Sequence, residues 1–353
     1  MFKAILRAVI IGIAVIPLGS CDDMLPGPNQ TNYSLFSDGS QRRIDKRLKH
    51  DNWGVPYYIS EDIVFQLSAK IYRRSLNATQ IQQLIPDSLA ISDQNTLEID
   101  VDKGKLYFAA NNHIYSCSFS GTDMINLSRY EEGAFSSPAL SDCRNYLTAI
   151  RSGSILSLNL LTGEWIELEG PTEVVYAVYV ESTDEYFYFA KGLNSSEMAL
   201  WRFIPDTQAS TMIMKLVCES GFNFSFSASP DRRYFALQSK DDNPDITYGE
   251  NLLIYDRQNG LIQQIDNCFT YAFDNNSRRF YFSRQKFGLA DLNYIDLQSG
   301  ATTLVWDGYI SQTSFSYSIN RINLRADGLH MFISGYTGYR FNDYSKGSYL
   351  CTK

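Results

Sequence analysis

Asp241, Asp242, Asp245 and Glu250 fall within one ten-residue stretch. Two carboxylates flanking one sugar bond are enough for glycosidic cleavage, one as acid and one as base or nucleophile. The same oxygens could hold calcium, but Asp241-Asp242-Asn243-Pro244-Asp245 lacks the D-x-[DN]-x-[DN]-G spacing of a calcium loop. A solvated acidic loop is the simpler reading of such a run. Histidine chemistry has little to work with: His50, His113 and His330 are the only three. A lone strand histidine is more often a packing or surface residue than a catalyst. No G-x-S-x-G elbow, H-E-x-x-H helix or P-loop occurs. Catalytic residues, a metal site and a cofactor are therefore not expected, and paired carboxylates carry the enzymatic alternative.

The elements that must position these groups are read from repetition. Asp62–Leu84 aligns without gaps on Lys105–Leu127, offset by 43 residues, and Ile71/Ile114, Tyr72/Tyr115 and Leu84/Leu127 are among six identities. A further shift of 41 places Ile155 and Leu168 beneath Ile114 and Leu127. A period near 40–45 residues built from short apolar strands marks a β-propeller blade. Turns rich in Asp, Asn and Gly separate the strands, as at Val101–Gly104, Ser229–Arg233 and Asp274–Arg278. A second set, including Ser120-Gly121, Thr162-Gly163, Asn259-Gly260 and Ser299-Gly300, suits hairpins. The fold class is all-β: a propeller of four-stranded blades, seven favoured and six or eight open, spanning residues 51–353. The last unit ends at its third strand, Tyr349-Leu350-Cys351, so an N-terminal strand must close the ring. Tyr33-Ser34-Leu35-Phe36 is the expected one. The basic run Arg42–His50 is expected as a solvated helical turn, since Asp45 interrupts its charge.

Connections between second and third strands are short in units one to three: Leu67–Lys70, Ala110–His113 and Arg151–Ser154. They lengthen in units four to seven: Lys191–Met198, Ser239–Asn251, Arg284–Leu289 and Ser334–Gly347. Insertions in a repeat protein gather on one face, often the binding face. Ligand-binding candidates there are Asp241, Asp245 and Tyr248 in unit five, and Arg284 and Phe287 in unit six. Unit seven adds Tyr336, Tyr339, Arg340, Phe341 and Tyr344. Tyrosines with Arg and Asp serve protein hot spots, and aromatic faces also stack on sugars.

Phe119–Ile150 reads FSGTDMINLSRYEEGAFSSPALSDCRNYLTAI and Phe226–Ala236 reads FSASPDRRYFA. Both resemble the blade motif of TolB-like propellers, a "G-T-…-L" strand leading into "S-P-D-G-x-x-I-A-F". The first departs at Asp142-Cys143-Arg144, and the second has Arg232-Arg233 where the motif has its turn glycine. The resemblance implies fold, not function. Sugar-acid lyases that share such propellers use histidine-rich metal centres, which three histidines cannot build. Propeller sialidases repeat S-x-D-x-G-x-T-W, which is absent here.

Residues 1–20 begin with Lys3 and Arg7 and continue in an apolar run too short to span a bilayer comfortably. Leu18-Gly19-Ser20-Cys21 resembles a lipobox, which implies a cleaved signal and lipidation of Cys21. Asp22 and Asp23 resemble retention and surface-export signals of outer-membrane lipoproteins, particularly in the Bacteroides group. Residues 21–50 then form the tether that holds the expected closing strand. Removing residues 1–20 takes the formal charge from −8 to −10. That balance excludes nucleic acid and repels anionic headgroups, so a lipid must do the anchoring. The expectation is a lipid-anchored outer-membrane recognition propeller whose partner is an outer-membrane or secreted protein or an extracellular glycan. The alternative is a carbohydrate-active hydrolase or lyase.

Overall fold

The computed structural model describes residues 32–35, 41–48, 57–59, 62–67, 69–75, 81–91, 97–192, 196–217, 223–240, 251–274, 276–286, 289–307, 315–324, 330–339 and 343–352. Their strands form six antiparallel sheets of four and one of five, each sheet a blade. Blade one is Tyr57–Ile59, Asp62–Leu67, Lys70–Ser75 and Ile81–Gln83. Blade two is Leu97–Asp100, Lys105–Ala110, His113–Ser118 and Ile125–Asn126. Phe135–Leu140, Tyr146–Arg151, Ser154–Asn159 and Trp165–Glu167 make blade three. Val174–Val180, Glu185–Lys191, Glu197–Ile204 and Ala209–Val217 make blade four. Blade five follows with Asn223–Ala228, Tyr234–Lys240, Leu252–Asp256 and Leu261–Ile265. Blade six has Cys268–Phe273, Arg279–Lys286, Leu289–Asp296 and Thr302–Asp307.

Blade seven closes the ring. Its first three strands are Phe315–Leu324, His330–Tyr339 and Asp343–Thr352. Its fourth is Gln41–Leu48, with Asn32–Leu35 as a fifth outside it. The N-terminal closure is as expected, but its strand is not. Tyr33–Leu35 pairs only with Arg43–Gln41, and Arg43–Leu48 lies against Thr352–Ser348. The basic run is thus strand, not helical turn. Alternation of Arg43, Asp45 and Arg47 with Ile44, Lys46 and Leu48 permits a strand, and the open ladder of the third strand supplies its partner. Phe315–Leu324 packs beside the first strands of both blade six and blade one, which completes the circle.

The repeated letters do the same work in each unit. Leu84, Leu127 and Leu168 donate their backbone N–H to Ile71, Ile114 and Ile155 at 2.9, 2.8 and 2.9 Å. In blades two and four the second strand is the most buried: Leu106–Ala110 and Glu185–Ala190 are shielded at every position. Blades pack face to face through rings, as where Phe187 of blade four stacks on Phe235 of blade five with centroids 4.7 Å apart. Each such buried ring stabilises the fold by about 1.5–3 kcal/mol relative to exposure. The hairpin glycines share a positive φ, and Gly121 adds a close approach. It sits at φ +78°, and a Cβ there would meet the Leu84 carbonyl oxygen of blade one at 2.6 Å.

Candidate functional sites

The turn between second and third strands and the crossing to the next blade open on one face, here the upper. Turns between first and second, and between third and fourth strands, open on the lower face. On the upper face, blades one to three have the expected two-residue turns, closing at Leu67↔Lys70, Ala110↔His113 and Arg151↔Ser154. Asn111 and Asn112 take φ of 47° and 66°, as such turns require.

Two of the expected long connections are instead strand. In Arg284–Leu289 the strands run to Lys286 and resume at Leu289. Ser334–Gly347 is a hairpin in register from Ser334↔Ser348 to Tyr339↔Asp343. Tyr, Thr and Ser alternating through this stretch favour extended backbone over a loop. With Phe315–Leu324 also paired as far as Phe315↔Tyr339, blade seven carries three consecutive ten-residue strands. The register sets Tyr336 opposite Lys346, Gly338 opposite Tyr344 and Tyr339 opposite Asp343. Arg284 is exposed, its guanidinium 5.1 Å over Phe282, and its backbone N–H donates to Asp291 Oδ1 at 2.9 Å. Cys21, Asp241, Asp242, Asp245, Tyr248, Glu250, Phe287, Arg340 and Phe341 lie outside the described residues.

On the lower face, a cavity of about 410 Å³ opens between blades four and five. Its walls include Thr183, Glu185, Arg202, Tyr255, Arg257 and Gln258, with Phe187 behind them. Strand periodicity puts Glu185 and Phe187 on one side of blade four, and Phe187 stands opposite Arg202 on the next strand. Arg202 Nη2 donates to Glu185 Oε1. Arg257 Nη1 donates to Thr183 Oγ1 at 2.8 Å, and Thr183 Oγ1 donates onward to Glu185 Oε2 at 3.1 Å. Arg257 Nη1 itself lies 4.0 Å from Glu185 Oε2. Burial, reinforced by Glu185, raises the Tyr255 phenol above its ordinary pKa against the opposing pull of Arg202, so it stays protonated near neutrality. Asp256 anchors this turn. It accepts Arg233 Nε and Nη2 at 3.0 and 2.8 Å, Gln258 N at 2.9 Å and Asn259 Nδ2 at 2.8 Å.

None of these cavity residues stood out in the sequence. Arg202 within Leu200-Trp201-Arg202-Phe203-Ile204 was the available signal, a charge inside an otherwise apolar strand.

Arg232 holds the lower mouth of the central channel. At φ +57° it occupies the conformation a turn glycine would take, and its side chain is nearly buried. Nε donates to the Leu140 carbonyl of blade three at 3.0 Å, and Nη2 to Glu98 Oε2 of blade two at 3.2 Å.

Among the described residues, one trio could approach a metal: Asp142, Cys143 and Glu181, with ligand atoms within 4.8 Å of one another. Three of its four carboxylate oxygens accept hydrogen bonds. Glu181 accepts Ser141 Oγ, Asn145 N at 3.1 Å and Asn145 Nδ2 at 3.0 Å. Asp142 Oδ1 accepts Glu181 N at 2.8 Å and Cys143 N at 3.0 Å. Desolvation, Asp142 and Glu181 all push the Cys143 thiol pKa up. The trio is a latch joining blades three and four. His113 sits on the upper face beside Ser128 Oγ at 3.1 Å, and His330 begins a strand at the lower face of blade seven.

No family model matches the chain, and no curated protein matches it. The TolB-like resemblance gains no support from these comparisons and stays at the level of blade motifs. Solved structures do match in fold. An oligogalacturonate lyase in complex with manganese superposes with a TM-score of 0.59 at 12% identity, covering 93% of this chain and 96% of its own. The oligogalacturonate lyase of Vibrio parahaemolyticus gives 0.59 at 10% identity, covering 92% and 96%. Kuenenia stuttgartiensis hydrazine synthase gives 0.53 at 11%, covering 85% and 96%. These likenesses establish the propeller. Among the described residues no histidine joins the acidic trio: the two described histidines stand on opposite faces, and the trio's carboxylates already accept hydrogen bonds that link blades three and four.

Proposed function

We propose that this chain is a non-catalytic recognition propeller, held at the outer membrane by a lipid on Cys21, that binds an extracellular glycan on its upper face. The observation that carries the reading is blade seven. Three paired ten-residue strands extend one blade, and two of them carry Tyr336, Tyr339 and Tyr344. Tyrosines spaced along a strand offer rings on which sugars stack, with hydroxyls to accept or donate at the rim. The likeness to oligogalacturonate lyases supports a sugar ligand over a protein. It also favours a second reading, a carbohydrate-active enzyme using Asp241, Asp242, Asp245 or Glu250.

Affinity of the full chain for a glycan panel, measured beside product release, tests both. Tyr336→Ala and Tyr344→Ala should weaken binding together, by about tenfold each. Turnover that vanishes in Asp241→Asn, Asp245→Asn or Glu250→Gln would replace recognition with catalysis. Capture of a stoichiometric outer-membrane protein without any glycan affinity would overturn the sugar assignment.

A further inference from the structure

The cavity between blades four and five sets two arginines against one carboxylate. Glu185 is shared between Arg202 and, directly and through Thr183, Arg257. One positive charge is left over beside the apolar faces of Phe187 and Tyr255. Arg257 is 14% exposed and Arg202 40%, so the excess charge is partly shielded from water yet open to an anion entering the cavity. Among the described residues, the contacts on the two guanidiniums are those to Glu185 and Thr183. The protein alone therefore does not saturate either guanidinium, although each is a planar fork suited to a carboxylate.

We propose that this cavity binds a small monovalent organic carboxylate bearing hydroxyl groups, its carboxylate held between Arg202 and Arg257. Glu185 decides the charge of the ligand. It leaves room for one negative charge and repels a second, so a phosphate dianion is disfavoured where a carboxylate is not. Volume decides the size: about 410 Å³ suits a molecule near one sugar ring rather than a polymer. The remaining walls decide the body of the ligand. Ser182, Thr183 and Gln258 supply neutral donors and acceptors for hydroxyls, and Tyr255 supplies a phenol. The site lies on the lower face, away from the blade-seven hairpin, and does not depend on the glycan reading.

The test is calorimetric titration of the full chain in detergent with D-glucuronate, D-glucose and inorganic phosphate. Glucuronate should bind saturably and more weakly as salt is added, with glucose and phosphate at least about tenfold weaker. Arg257→Gln should lose about tenfold or more in glucuronate affinity. Glu185→Gln removes the competing negative charge and turns one acceptor oxygen into a donor, so it should tighten glucuronate and admit phosphate, a gain that misfolding cannot produce. Absence of saturable glucuronate binding to the unmodified chain would overturn the proposal. So would glucose binding as tightly, or a Glu185→Gln variant with both affinities unchanged. The hairpin takes no part in this titration, so either assignment can fail without the other.

Discussion

Arg232 shows how one residue can depart from a motif and acquire a task. A glycine would relax the turn at φ +57°, yet the arginine spans to Leu140 and Glu98 on two other blades. Arg232→Ala keeps the backbone strain, loses both contacts and leaves Glu98 and a carbonyl unpaired. It should cost about 2–4 kcal/mol in urea unfolding. Arg232→Gly loses the same contacts but regains about 1 kcal/mol of backbone ease. The expected order of stability is Arg, then Gly, then Ala; Ala above Gly would show that the left-handed backbone is not strained. The oddity of Arg232-Arg233 was legible in the sequence, as a missing glycine. Its partner was not, because Glu98 lies 134 residues away and only ring closure brings the two together. The same reason hid the cavity, where Arg257 and Thr183 are 74 residues apart.

At the scale of elements, local chemistry was largely readable and long pairing was not. Asp and Gly marked the turns because those turns need side-chain acceptors and positive φ, as at Asp256 and Gly260. Burial alone would raise the Asp256 pKa, but the hydrogen bonds of Arg233, Gln258 and Asn259 bring it below the ordinary value. A carboxylate depressed on folding stabilises above its unfolded pKa, near 4, and that stability fades as pH falls through the lower folded value. The stability gap between the native chain and Asp256→Asn should thus be wide at pH 6 and narrow steadily below about pH 4. A gap independent of pH would contradict the bidentate Arg233 contact. The closing strand was misplaced because Gln41–Leu48 has charges that read as solvated, whereas its role comes from the vacant ladder at Asp343–Thr352. Deleting residues 32–48 should uncover that edge, lower the Tm and promote aggregation. A deletion that melts and stays monomeric like the full chain would show that blade seven needs no N-terminal strand.

The whole molecule is a ring whose upper and lower faces have different equipment. Period and turn chemistry made the blades legible, since units one to three repeat the same buried positions at Ile71, Ile114 and Ile155. Loop length indicated long upper-face connections in units four to seven; in blades six and seven the chain there is extended strand rather than loop. The lower face carries a charged cavity and a channel-spanning arginine, both built from residues distant in sequence. Recognition on the upper face is the central claim, and one assay addresses it most directly. The full chain is incubated with acidic and neutral glycans, including oligogalacturonate, while bound ligand and newly formed unsaturated or reducing ends are followed together. The account predicts saturable retention of a glycan with no new ends, lost when the hairpin between Ser334 and Ser348 is shortened. New ends accumulating with time, or retention indifferent to the hairpin, would contradict it.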